Sequence, residues 1–149
     1  MSHKLGMQCK VYYSTSLLTD AVGPGALAWL PVKRVRDLTV NAPDDEWEKT
    51  DRDSGGIKCV ALTLTDLSID FNIVKDAEEV SYQALLAAKL AKSEIALAIM
   101  DGDITVSGNA GWCANFVMPG WTEGQPVAEG VAIDITIKPG SHPQNYQVP

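Results

Sequence analysis

The sequence predicts a mainly β protein, an antiparallel β-sandwich or partial barrel with one α-helix, and three observations carry that prediction. Residues 131–138 alternate Val131, Ile133, Ile135 and Ile137 with Ala132, Asp134, Thr136 and Lys138, the period-two pattern of a half-buried strand. A single helical pattern occupies about 77–92. Strand-like segments come before and after that helix instead of alternating with helices, an order that suits an antiparallel sheet.

In chain order, residues 1–31 have weak periodicity and contain Gly23-Pro24-Gly25 and Pro31, so they read as an N-terminal arm with turns. Val11-Tyr12-Tyr13 adds a short strand within it. Val35, Leu38 and Val40 mark a strand over 33–41, closed by Asn41-Ala42-Pro43. Residues 44–57 are the most charged part of the chain, with Trp47 inside and Gly55-Gly56 near the end, and are expected to form an extended, exposed loop.

Residues 58–74 read as strand throughout, yet the alternation changes phase at Thr65-Asp66. Val60, Leu62 and Leu64 are apolar before it, and Leu67, Ile69, Phe71 and Ile73 after it. Strand side chains alternate between faces, so the switch turns the core face outward unless a bulge or tight turn resets it. One strand of that length would span roughly 56 Å. The segment is therefore two strands or one long, bent strand, and a long bent strand suits a sheet wrapped around something.

Asp76 is placed as an N-cap, with Glu78 and Glu79 in the first turn where the helix dipole favours anions. Val80, Ala84, Ala87 and Ala91, widened by Leu86 and Leu90, give the apolar stripe, and Lys89 and Lys92 close the last turn. Residues 95–100 form a continuous apolar strand, with a hairpin expected at Asp101-Gly102-Asp103 leading into Ile104-Thr105-Val106. Trp112, Ala114, Phe116 and Met118 define a further strand ended by Pro119-Gly120. Pro139 stops the last strand, and 140–149 reads as a loose tail. All of 1–149 reads as one domain, large enough to bury roughly 70% of its unfolded surface.

Composition narrows the function. Apolar content of 46% is ordinary for a globular protein, and no apolar run is long enough for a membrane helix. Met1-Ser2-His3-Lys4-Leu5-Gly6 lacks the apolar centre of a signal peptide, so synthesis in a cytoplasm is expected, with no membrane partner. The net charge of −7 disfavours nucleic-acid binding through the overall field. The basic cluster Lys33, Arg34 and Arg36 reads as a solvated strand edge that blocks unwanted pairing. Cys9, Cys59 and Cys113 are odd in number and widely spaced, which fits reduced, partly buried thiols.

No pattern of catalytic chemistry emerges. His3 and His142 both fall in segments expected to be mobile, so neither a zinc site nor a Ser-His-Asp or Cys-His arrangement has a rigid scaffold. The acidic pairs Asp44-Asp45, Glu78-Glu79 and Asp101 with Asp103 lie in loops, turns or a helix start, where solvation explains them. Asp101-Gly102-Asp103 lacks the other ligands of a calcium loop, and no phosphate-binding glycine loop occurs. Neither catalytic nor metal-binding residues are assigned, and no cofactor is expected. Of the four Trp, Trp112 reads as core, while Trp47 and Trp121 fall in polar loops and suggest an interface. The chemistry points to a function exercised through surfaces.

From about Leu38 to Pro139, the succession of elements resembles the tail tube (major tail) proteins of long-tailed bacteriophages. Glu48-Lys49-Thr50-Asp51-Arg52 followed by Ser54-Gly55-Gly56-Ile57-Lys58 is similar to a segment of that family's long loop. Leu64-Thr65-Asp66-Leu67-Ser68-Ile69-Asp70-Phe71 is similar to one of its strands. The helix after Asp76, the segment 95–102 and Asp134-Ile135-Thr136-Ile137-Lys138-Pro139 follow in the same order. The resemblance implies hexameric rings stacked into a hollow tube in the virion tail, whose lumen conducts the genome. Its implied partners are the chain itself, other tail proteins and, transiently, passing DNA. Tubes of type VI secretion and contractile injection systems share the architecture, so they remain an alternative. A monomeric carbohydrate-binding β-sandwich is the rival reading outside this class.

Within that resemblance, Asp45, Trp47, Thr50, Arg52, Gly55 and Gly56 are expected in an inter-subunit contact loop, with Trp47 as its apolar anchor. Thr63, Asp70, Asn72, Asp134 and Thr136 are expected to face the lumen, and the arm around 12–31 to reach a neighbouring subunit.

Overall fold

The computed structural model describes residues 6, 9–125 and 130–149; His3 and the rest of segment 1–5 lie outside the described residues. Among the described residues there are nine strands, β1 (Lys10–Ser14), β2 (Leu30–Pro31), β3 (Val35–Asn41), β4 (Asp44–Glu48), β5 (Val60–Thr65), β6 (Ser68–Val74), β7 (Ile95–Met100), β8 (Ala110–Gly124) and β9 (Ala132–Gln147). The helix α1 (Val80–Ala91) lies between β6 and β7. Seven strands form one antiparallel sheet in the order β2-β1-β7-β8-β9-β6-β3, curled into a half-barrel, and β4 and β5 pair as a separate two-stranded sheet. Mainly β with one helix, as the alternation predicts, the fold is a partial barrel and not a sandwich.

The curl comes from β8 and β9, the two longest strands, which pair along nearly their whole length. Their register shifts between Cys113 and Asn115, between Asn115 and Phe116, and between Val117 and Gly120. Each shift is a bulge or irregularity in the ladder, and bulges bend a strand pair and raise its twist. Here two sequence expectations fail together. Pro119-Gly120 does not end β8, and Pro139 does not end β9, so 140–147 is paired strand and not a loose tail. Proline lacks an N–H, but at an irregular register the ladder does not need one there. His142, expected to be mobile, sits in β9 at φ +53, and its Nε2 lies 3.1 Å from the Asp20 carboxylate.

The sheet interior holds Ile69, Phe71, Ile73, Leu97, Ala114, Phe116, Ile133, Ile135 and Ile137, all fully buried or nearly so. α1 covers this face with Ser81, Tyr82, Leu85 and Ala88. The helix starts a turn later than predicted. Glu79 is its N-cap, and the Asp76 carboxylate instead accepts the Glu78 N–H at 3.1 Å and pairs with Arg34 at 3.1 Å. Lys92, at φ +54, ends it. The buried stripe is also not the predicted one, because Val80, Ala87, Leu90 and Ala91 face outward.

A second, smaller core lies on the other side of β1, β7 and β8, where Leu18 packs with Tyr12, Ala98, Met100 and Cys113. Trp29 and Leu27 close it, so much of the expected arm is folded onto its own subunit, with β1 inside the sheet. The segment 104–106, expected as a hairpin strand, belongs to a longer turn between β7 and β8. Backbone and side-chain hydrogen bonds from Thr105 hold the Asp103 carboxyl below its ordinary pKa.

Burial pushes the Cys113 thiol from 9.0 up to about 12. The raised value favours the folded state fully below pH 9, and that contribution is lost as pH climbs towards 12. Native protein at pH 8 should therefore leave Cys113 unmodified by an aromatic disulfide reagent, with modification only in denaturant, as mass spectrometry of the labelled peptide would read. Rapid labelling in the native state would contradict this burial.

Candidate functional site

Two exposed surfaces distinguish this molecule. The first is the β4–β5 hairpin. Trp47 pairs with Ala61, Glu46 with Leu62 and Glu48 with Val60, so one face carries Val60, Leu62 and Leu64 beside Glu46 and Glu48. The other carries Trp47, Ala61 and Thr63. Leu62 is 64%, Leu64 72% and Trp47 61% exposed. The phase break at Thr65-Asp66 is thus not reset by a bulge within one sheet. It is where the chain leaves the hairpin for the main sheet, and the apolar face before it does turn outward.

The expected contact residues all lie on this hairpin, but its first part, predicted as loop, is strand β4. Thr50 closes the ribbon: its Oγ1 accepts the Cys59 N–H at 2.9 Å, and the Lys49 N–H donates to the Cys59 carbonyl at 3.0 Å. Gly55 and Gly56 sit at φ +65 and +80, a left-handed pair that side chains resist. Arg52 opens a short 3-10 turn, and the backbone carbonyl of Asp45 accepts the Thr63 hydroxyl at 3.1 Å.

The second surface is the polar back of β3, β6 and β9, opposite the core. Asp70, Asn72, Asp134 and Thr136 come together here, and Asp37 and Thr39 join them to line a shallow groove. Thr136 Oγ1 donates to Asp70 Oδ1 at 2.6 Å, Asn41 Nδ2 to Asp70 Oδ2 at 3.3 Å, and the Asp37 N–H to Asn72 Oδ1 at 2.9 Å. Three carboxylates stand in this groove, while the nearby Lys138 pairs with Asp66 at 3.8 Å. Thr63 is not among them, since it belongs to the hairpin. The sequence reading missed Asp37 and Thr39, although the register shift between Val35 and Leu38 leaves a trace as their unequal apolar spacing.

The four Trp are dispersed over the fold. Trp112 and Trp121 lie in strand β8 against the main core, Trp121 beside Tyr82 with ring centroids 6.4 Å apart. Trp29 packs in the second core, and Trp47 stands on the hairpin rather than in an irregular loop. Among the described residues there is no group of three His, Cys, Asp or Glu side chains that would hold a metal ion. Among the same residues, no helix is long and apolar enough to cross a membrane.

No family model and no curated protein matches this sequence. Solved structures do match the fold. The tail tube of SPP1 superposes with a TM-score of 0.70 over 97% of this chain and 80% of that one, at 11% identity. This chain has the tail-tube fold. The tail of a gene transfer agent particle, refined with C6 symmetry, matches the tail-tube fold at a TM-score of 0.66 and 11% identity, covering 97% of this chain and 99% of that one. A chain from the baseplate of the anti-feeding prophage matches at 0.59 and 10% identity, over 99% and 95%.

Proposed function

We infer that this chain is a structural, non-enzymatic subunit of a phage tail tube, building hexameric rings that stack into a hollow tube for the viral genome. The observation that carries the reading is the polar face of a half-barrel that does not close on itself. Strands β2 and β3 are left as edges, and a free edge is a template for pairing with another chain. Pairing subunit to subunit around a ring removes those edges and turns one face of every sheet to the bore. Asp37, Thr39, Asp70, Asn72, Asp134 and Thr136 then line the lumen, with the hairpin residues Asp45, Trp47, Thr50, Arg52, Gly55 and Gly56 making subunit contacts. Thr63 goes with the hairpin.

The tail tube of SPP1 and the C6 tail of the gene transfer agent support this reading through fold and symmetry. Six copies at −7 give 6 × −7 = −42 per ring. An acidic bore repels DNA and lets it slide, where a basic one would hold it at each phosphate. Location in the virion tail and contact with other tail proteins follow from the same reading. The likeness to the anti-feeding prophage baseplate favours a contractile injection tube as the second reading.

Negative-stain microscopy and sedimentation of the purified chain test the proposal. Rings or tubes with six-fold end views are expected. A protein that stays monomeric at all concentrations and in the presence of other tail proteins would refute it.

A further inference from the structure

A helix on the surface of a lone domain shows a polar outer face. α1 does not. Its exposed residues are Val80, Gln83, Ala87, Leu90 and Ala91, with Val80 64% and Leu90 74% exposed. The helix is already anchored through Ser81, Tyr82, Leu85 and Ala88, so this second apolar row is not needed for the subunit's own core. The hairpin carries the other unpartnered apolar row, Val60, Leu62 and Leu64.

We propose that the two rows are the halves of one contact, the β5 row of one copy lying along the outer face of α1 of a second copy. This rests on the tube-subunit reading above and names the seat of its hairpin. The rows match in length: Val60 to Leu64 spans about 13 Å of strand, and Val80 to Leu90 about 15 Å of helix. One end matches in charge as well. Asp44, opposite Thr65, and Glu46, opposite Leu62, lie towards the Leu64 end of the β5 row, and Lys89 and Lys92 lie at the C-terminal end of the helix row. Laid with Leu64 towards the C-terminus of α1, the hairpin brings these carboxylates to the two lysines. Because donor and seat are different patches of one chain, the contact is heterologous, the kind that propagates around a ring.

Complementation tests it. Leu62→Asp disables the hairpin and leaves the seat, while Leu90→Asp disables the seat and leaves the hairpin. Both positions are exposed, so circular dichroism should be that of wild type. Each variant alone should fail to assemble. For trapping, Cys59→Ser is added to both, Ala87→Cys to the Leu62→Asp protein and Leu64→Cys to the Leu90→Asp protein. A short bismaleimide should then give a heterodimer in the mixture, with at least tenfold more crosslinked dimer than either protein gives alone. Leu90→Asp protein that assembles like wild type, or a mixture without crosslinked heterodimer, would overturn the seat while leaving the tube reading in place. A wild-type chain that never assembles would overturn both.

Discussion

Excising residues 44–65, with two glycines joining Pro43 to Asp66, should give a folded monomer that builds no rings or tubes. The cut is structurally clean, because the Asp66 N–H donates to the Pro43 carbonyl at 2.7 Å, so the hairpin's two ends already meet. Neither core cluster includes a residue from 44–65, and β4 and β5 pair only with each other. An isolated two-stranded ribbon is marginal in water. This one also exposes Val60, Leu62 and Leu64, side chains each worth roughly 1.5–3 kcal/mol on full burial. A contact built on them is lost with the hairpin, and no other part of the chain replaces it. Thermal melting within a few degrees of wild type, together with empty micrographs, is the expected pair of results. Tubes indistinguishable from wild type would remove the hairpin from assembly. A collapsed β spectrum would show that it belongs to the fold.

The same segment shows what a sequence can and cannot disclose. The alternation of Ile69, Phe71 and Ile73 and of Ile133, Ile135 and Ile137 placed β6 and the first half of β9, because one buried face dictates period two. From their polar positions a common face was expected for Thr63, Asp70, Asn72, Asp134 and Thr136, and β6 and β9 pair to place all of these but Thr63 together. The β5 pattern is equally regular, yet its apolar face is exposed in the monomer. Periodicity reports that a face is to be covered, not by what. The helix misled for the same reason: Val80, Ala87 and Leu90 recur at helical spacing although the core side is Ser81, Tyr82, Leu85 and Ala88. Long bent strands do exist in this fold, but as β8 and β9. There Pro119 and Pro139 read as stops, because bulges that excuse a proline depend on the partner strand's register.

Asn115→Ala should be the most damaging single polar substitution in the subunit, lowering stability by about 2–4 kcal/mol. Asn115 is 2% exposed, on β8 facing the second core. Its Oδ1 accepts the Leu18 N–H at 2.8 Å, and its Nδ2 donates to the Leu18 carbonyl at 2.8 Å and to Ser141 Oγ at 3.0 Å. The amide thus stands in for a strand partner, satisfying both backbone groups of a residue that lies outside any sheet. Ser141 passes the chain on, its hydroxyl donating to Glu94 Oε2 at 3.0 Å. Truncation to Ala leaves the Leu18 N–H and C=O buried without partners, a cost a methyl group cannot offset. For a domain of this size the melting temperature should fall by about 5–15 °C. The loss should also be local first. Leu18 covers Cys113, so the variant's Cys113 should react with thiol reagents under native conditions while the amides of β6 and β9 keep their exchange protection. A melting temperature within about 2 °C of wild type, with Cys113 still shielded, would mean that the 15–29 segment is held without Asn115, by its apolar contacts and the Asp20–His142 pair.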